Sequence, residues 1–354
     1  MKFLFKLKKK ANVIIFDKKI LLNDTDISKF YYDSSKLYLN ILLKSLIKNF
    51  FYFNLKRLKQ DYFIELINQL NCKVAIGNDI SGSIFKFKKF FPKKISIGYQ
   101  FGYIYKPDIK AYLDILKNKS LDYFFFIDNH QKNQVKKEIP SFKSEFLIGG
   151  YLRTNEIVLK QKKIKYDVMF VSEFRKLEKI SRSKQYLKEV NRRKTQTKMV
   201  KLLSKLKNKY NLKVIIALVS NRSDKKKYKD LKNQEIDFFR RIDRNFLFYD
   251  NNSYDLACKS KMILCSRSNL GHELFCRGFK VLFYQDDVNY LDQRCYSKKN
   301  FNFLFKFNKK SFFNKVNKIL KLNKKKWASK IKNVPKIYFD QENFQLRNLI
   351  REII

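Results

Sequence analysis

The sequence predicts an α/β protein made of two doubly wound parallel-sheet domains facing each other across a cleft. Three observations predict this. Short apolar runs alternate with stretches of helical period along the whole chain. Most of these runs are continuous rather than alternating, as expected of strands buried on both faces beneath helices. A polar, basic stretch, YLRTNEIVLKQKKIK (151–165), separates two strand-rich halves of similar size. With 354 residues, 45% of them apolar, the chain has the length for two domains and the hydrophobic area for their cores. That content excludes a disordered polybasic tail.

In the first half the expected strands are VIIF (13–16), KFYYD (29–33), KVAIG (73–77), KISIG (94–98), YFFFI (123–127) and EFLIG (145–149). The second half carries DVMFV (167–171), KVIIALV (213–219), NFLFY (245–249), KMILC (261–265), KVLFY (280–284) and NFLFKF (302–307). Between them, Leu58, Tyr62, Phe63, Leu66, Ile67 and Leu70 lie on one helical face. The same period recurs in Ile109, Tyr112, Leu113 and Leu116, in Phe312, Val316, Ile319 and Leu320, and in Leu346, Leu349, Ile350 and Ile353. The expected organisation is a Rossmann-like domain over 1–155, a second over 156–335, and a C-terminal helix in 336–354 that returns to pack on the first.

Lys and Arg number 79 against 32 Asp and Glu, a formal net charge of +47. Lysines run through the whole length, and residues with A/T-rich codons are abundant while Gly, Pro and Trp are scarce, so coding bias accounts for the excess. Nucleic acid is therefore not expected as the principal partner. An anionic small substrate and an anionic membrane surface fit the charge equally well. The segment SIFKFKKFFPKK (83–94) places Ile84, Phe87 and Phe91 on one helical face, which would either seat the protein on a bilayer or pack on its own sheet. No apolar run reaches the ~18 residues a membrane span needs. The opening MKFLFKLKKK has the reverse order of a signal peptide. Five cysteines form no CxxC pair, which suits a reduced cytosol. The expected location is cytoplasmic, with peripheral contact at the inner face of the cell membrane. His130 and His272 sit in unrelated contexts, and no metal site is expected.

If drift removes glycine wherever it can, the eight survivors mark places where the backbone demands one. They fall into four pairs, three of which begin directly after the runs KVAIG, KISIG and EFLIGG. The fourth, Gly271 and Gly278, belongs to MILCSRSNLGHELFCRGFKVLFY (262–284), which carries the strongest functional signal. A strand ends at Cys265, and the turn Ser-Arg-Ser-Asn leads into a short helix starting near Leu270. Ser268 or Asn269 supplies an N-cap. Free N–H groups at the helix start, with Gly271 permitting close approach, suit a diphosphate. Glu273, in the first turn, would accept hydrogen bonds from ribose hydroxyls or simply complement the helix dipole. His272 reads as a surface or packing residue rather than a catalyst.

This segment resembles the nucleotide-sugar site of GT-B glycosyltransferases, where a strand, a Ser/Gly turn, a helix with an early Glu and a further strand recur. Other stretches are similar to a group of bacterial surface-carbohydrate (O-antigen or capsule) biosynthesis proteins: DVMFVSEFR (167–175), FLIGGYLRTNE (146–156) and KISIGYQFG (94–102). In that group the turn before the helix usually reads Ser-Thr-Leu-Gly-x-Glu. Here Asn269 replaces the Thr and keeps the capping ability. The resemblance implies a GT-B-like fold and a nucleotide sugar as substrate, bound mainly by the second domain without a cofactor. By position, Ser268, Asn269, Gly271 and Glu273 would contact phosphate and ribose, with Ser172, Arg175 and Arg222 nearby. A catalytic base would come from the first domain, where Asp79, Asp128 and His130 follow strands, although an Asp there also serves as an ordinary turn former.

The expected activity is transfer of a sugar to a surface-polysaccharide or lipid-linked glycan acceptor. The alternatives are a non-catalytic nucleic-acid-binding protein, or the same fold acting as a sugar epimerase or polyol-phosphate transferase. No Gly-x-Ser-x-Gly elbow or Walker loop suggests hydrolase or kinase chemistry.

Overall fold

The computed structural model describes residues 2–4, 11–17, 20, 27–32, 36–49, 54–80, 82–105, 109–160, 162–175, 184–219, 227–290, 297–334, 339–340 and 343–354. Each of the apolar runs overlaps a strand, and the strands form two six-stranded sheets, parallel throughout. The chain divides into two compact units, Met1–Ile104 with Asp108–Ile157 and Tyr338–Ile354, and Tyr105–Pro107 with Val158–Ile337.

The first unit runs β1 (Lys2–Leu4), β2 (Val13–Ile15), β3 (Lys29–Tyr31), β4 (Lys36–Tyr38), α1 (Leu39–Lys48), α2 (Leu55–Leu70), β5 (Val74–Asn78), α3 (Gly82–Phe90), β6 (Ile95–Tyr99), α4 (Ile109–Leu116), β7 (Ser120–Phe126), α5 (Asn129–Glu138) and β8 (Lys143–Ile148). Its sheet is ordered β3-β2-β5-β6-β7-β8, and β1 pairs separately with β4. Successive residues of one strand point to opposite faces, and here both faces are dry. Ile14, Ala75, Phe124 and Phe126 pack with Ile41 of α1, Tyr62, Leu66, Ile67 and Leu70 of α2, Ile84 and Phe87 of α3, and Tyr112 and Leu116 of α4. Their neighbours Val13, Ile15, Val74, Ile76, Ile97 and Phe125 face the other way. There they meet Leu346 and Ile350 of a helix from the far end of the chain, Phe344–Ile353.

Local chemistry sets the helix ends. The Asn54 side chain accepts from the N–H groups of Lys56 and Arg57 at the start of α2, and Asn71 closes it in the left-handed region at φ 53°. Of the two readings of SIFKFKKFFPKK, the structure has the one in which it packs on its own sheet. Ile84 and Phe87 of α3 are fully buried in the unit's own core, and Lys88 pairs with Asp122 at 2.6 Å. Phe91 is partly buried against the same core, while Lys86, Lys89 and Lys93 are exposed. Among the described residues no helix is long and apolar enough to cross a membrane.

The second unit runs β9 (Tyr166–Val171), α6 (Lys184–Tyr210), β10 (Val214–Ala217), α7 (Lys227–Arg240), β11 (Leu247–Tyr249), α8 (Ser253–Cys258), β12 (Ser260–Cys265), α9 (Asn269–Cys276), β13 (Val281–Gln285), β14 (Phe303–Phe305), α10 (Lys309–Lys321) and α11 (Lys324–Lys330). The helix Phe344–Ile353 of the first unit is α12. The second sheet is ordered β11-β10-β9-β12-β13-β14. In order of appearance that is 3-2-1-4-5-6, with the direction of winding reversing between β9 and β12. Met199, Val200, Leu203 and Leu206 of α6 are buried, as are Phe312, Val316 and Ile319 of α10 and Trp327 of α11. An Asn308–Ser311 capping box starts α10, satisfying two of the N–H groups a helix start leaves open.

Candidate site at the strand ends

In an open α/β sheet, ligands bind beyond the carboxyl ends of the strands where the winding reverses. In the second unit that point lies between the ends of β9 and β12, and the structure gathers Ser172–Arg175 and Ser266–Ser268 there. Ser172 extends the ladder through its N–H to the Ala217 carbonyl, and its hydroxyl accepts from the Phe174 N–H at 3.2 Å. The next residue, Glu173, was not singled out by the sequence. Its Oε1 accepts from two consecutive backbone N–H groups, Ser266 at 3.2 Å and Arg267. Its Oε2 lies 3.9 Å from Arg192 Nε on α6. Arg192 also holds Glu189 at 3.0 Å, and Glu189 holds the exposed Arg175 at 3.3 Å. Burial, followed by the neighbouring positive charge of Arg267, pushes the Arg192 pKa below its usual value. Arg193 stacks its guanidinium over Phe174 at 4.7 Å and donates to the Arg175 carbonyl.

Ser268 takes the N-cap position of α9 in extended geometry, with its carbonyl accepting from the Gly271 N–H, but its side chain makes no capping bond. Asn269 is the first helical residue. Gly271 is there for packing. A Cβ at this position would lie 2.2 Å from Cys265 Sγ and 3.3 Å from the Phe283 ring, so the glycine lets α9 lie against β12 and β13. Close helix–strand packing is thus one demand for a glycine here, beside the ligand approach expected from the sequence. Gly278 closes the helix at φ +83°, where an L side chain is strained. Glu273 sits one residue deeper than expected, at the fifth helical residue. It is buried and accepts from the Tyr254 hydroxyl of α8. His272 is a packing residue, stacked on Phe283 with centroids 4.9 Å apart. Its Nε2 lies 2.8 Å from the Tyr105 hydroxyl, which donates to the Arg267 carbonyl at 3.1 Å. Arg222 lies outside the described residues.

In the first unit the three expected base candidates are not alike. Asp128 is the N-cap of α5, accepting from the Gln131 N–H at 2.9 Å, which is the turn-forming role. His130 is exposed in the first turn of that helix. Asp79 is 2% exposed, and accepts from the Phe101 N–H at 3.1 Å and the Tyr112 hydroxyl at 2.6 Å. Burial raises its pKa to about 7 despite these donors. A fourth carboxylate, Asp17, stands at this sheet's own reversal point, between β2 and β5, and was not among the sequence candidates. It accepts from Asn78 at 3.3 Å and from the Tyr99 hydroxyl, and pairs with Arg153 at 3.1 Å, whose guanidinium lies 4.3 Å from the Phe101 ring centroid. The rule that marked Asp79 after KVAIG would also have marked Asp17 after VIIF.

No protein-family model matches the sequence, and no curated protein matches it. Solved structures do. A protein assigned as a UDP-N-acetylglucosamine 2-epimerase from Listeria monocytogenes is similar at a TM-score of 0.59 and 11% identity, covering 97% of this chain and 96% of that one. The UDP-GlcNAc 2-epimerase of Neisseria meningitidis, solved with UDP-GlcNAc, matches at 0.55 and 11%, covering 99% and 100%. The wall teichoic acid polymerase TagF matches at 0.50 and 11%, covering 97% and 89%. The chain has the GT-B-like fold of two Rossmann-like domains.

Proposed function

We propose that this protein is an enzyme acting on a nucleotide-activated sugar bound by the second unit, and that it transfers the sugar to a surface-polysaccharide or lipid-linked glycan acceptor. One observation carries the reading. A parallel sheet ordered 3-2-1-4-5-6 collects Arg175, Arg192 and Arg267 around the strand ends at its reversal point. Guanidinium groups suit phosphate geometry and would stabilise the charge that develops on a diphosphate leaving group. Ser172, Ser268 and Asn269 lie on the same turns. Glu273, held by Tyr254, would address the ribose. Asp79 is the strongest of the first unit's candidates for moving a proton, because its pKa of about 7 suits either direction of transfer at neutral pH.

A second reading, epimerisation of the sugar, is favoured by one observation: the epimerases match over nearly the whole of both chains, with higher TM-scores than the polymerase. The two readings separate in a simple assay. An epimerase alters UDP-GlcNAc with no acceptor present, whereas a transferase leaves the donor intact until an acceptor is added. A thermal-shift screen against UDP-, GDP-, CMP- and dTDP-sugars tests the shared premise. A saturating donor at 100 Kd stabilises the fold by about 2.7 kcal/mol. If no nucleotide sugar raises the melting temperature, both readings fall, and salt-sensitive nucleic-acid binding becomes the one to pursue.

A further inference from the structure

Two consecutive backbone N–H groups pointing the same way form a concave donor site for an anion, and such sites hold phosphates in many α/β proteins. Ser266 and Arg267 present this pair at the end of β12, and it is already filled. The occupant is the Glu173 carboxylate, from the end of β9 and 93 residues away in sequence from Ser266. Glu173 is a side chain about one tenth exposed, at the point where the sheet reverses direction. Its other oxygen faces Arg192. Arg192 in turn divides its charge between Glu173 and Glu189. The turn, the arginine and the carboxylate thus form a complete anion site whose resident anion belongs to the protein.

We propose that the Ser266 and Arg267 N–H pair, with Arg192, is the phosphate subsite of the second unit, and that a nucleotide diphosphate binds there by displacing Glu173. The identity of the ligand rests on the nucleotide-sugar reading above; the exchange of one anion for another does not. Displacement needs a destination, and the structure supplies one. Arg175 is exposed on the same segment, two residues beyond Glu173, and holds only one end of Glu189. A freed Glu173 carboxylate pairs with it or returns to water. The subsite is therefore closed to weak anions and opens to a ligand carrying more than one negative charge, because only such a ligand gains enough from Arg192 and the N–H pair to evict the carboxylate. This moves the phosphate position from the α9 start at Ser268 and Asn269 to the turn preceding it.

The test is isothermal titration of the full chain with inorganic pyrophosphate and with UDP, comparing wild type with Glu173→Gln. Gln keeps an oxygen that accepts from the turn but removes the competing charge. The variant is expected to bind pyrophosphate about tenfold more tightly or better, a gain of ~1.4 kcal/mol, because the ligand no longer has to evict a carboxylate held by two N–H groups and facing Arg192. Adding Arg192→Gln is expected to abolish the gain. Equal or weaker binding by a folded Glu173→Gln variant overturns the proposal. A second measurement covers the case in which the variant does not fold. In wild type, the amide resonances of Ser266 and Arg267 are expected to shift along the same saturation curve as pyrophosphate binding, and binding that leaves both unmoved overturns it equally. Failure of the functional reading looks different. If pyrophosphate follows this pattern while no nucleotide sugar is bound or turned over, the subsite stands and the proposed activity falls. If nucleotide sugars are processed with affinities indifferent to Glu173, the reverse holds.

Discussion

Replacing Asp79 with Asn removes a buried titration without removing its contacts. The Asn oxygen accepts from the Phe101 N–H, and the amide donates to the Tyr112 hydroxyl in place of the present bond. The wild-type carboxyl has a folded-state pKa of about 7 against 3.8 for the free group, with burial as the leading cause. The folded protein therefore holds this proton where the unfolded chain has lost it. The group's stabilising contribution is complete below about pH 4, declines through the window between the two pKa values and is gone above about pH 7. Proton affinity rises by roughly three factors of ten on folding, and at about 1.4 kcal/mol for each factor this amounts to about 4 kcal/mol across the window. Urea unfolding of both proteins at about pH 5 and about pH 8 samples two of those three factors. The wild type is expected to lose about 3 kcal/mol relative to Asp79→Asn between the two conditions. Tyr112→Phe removes a donor that lowers the pKa, so it should extend the window upward. A wild-type-to-variant difference that stays constant from pH 5 to pH 8 would falsify the assignment of a protonated Asp79.

Three further outcomes are expected. Gly271→Ala drives a methyl into Cys265 Sγ, and should destabilise the second unit by about 1–3 kcal/mol in a denaturant titration. The same change should be far milder on a Cys265→Ala background, and an equal cost in both would refute the packing account. Leu346→Ala leaves a cavity on the inner face of α12 and should cost about 2–5 kcal/mol, read as a lower urea midpoint with no loss of nucleotide affinity in the folded protein. Glu273→Ala should abolish donor binding while a circular-dichroism melt stays cooperative. Unchanged affinity for every nucleotide sugar tried would remove Glu273 from the site.

Strand positions were legible because burial on both faces leaves an unbroken apolar run. Val13, Ile14 and Ile15 show it residue by residue, alternating between two separate cores. The pairing of β1 with β4 was not legible, since three residues are too few to establish a period. Scarcity of glycine correctly flagged Gly271, but not its cause. The sulfur behind it belongs to the preceding strand, and only the packing of α9 brings the two together. The strand–turn–helix around Ser268 could be read directly, because its parts are contiguous. Glu173 could not, because its partners lie across a strand boundary and depend on β9 being the neighbour of β12. Strand order of that kind leaves no trace in a single sequence. Asp17 is a different case, since it follows VIIF directly, as Asp128 follows YFFFI, and the same strand-end rule reaches it.

The place of α12 has a bearing on how the protein is made. Asn343, just before this helix, donates to the carbonyl of Leu152, 191 residues earlier, and Asn155 bonds it in turn. At ~5–20 residues per second, translation needs roughly 10–40 s to cover that distance. Throughout that interval the Val13, Ile15, Val74 and Ile76 side of the first unit's sheet lacks the cover of Leu346 and Ile350. The contiguous strands and helices of the second unit face no such delay. A nascent chain interrupted before α12 thus displays a sticky apolar sheet face, while one that includes the helix hides it. Synthesis through α12 is thereby tied to the covering of that face.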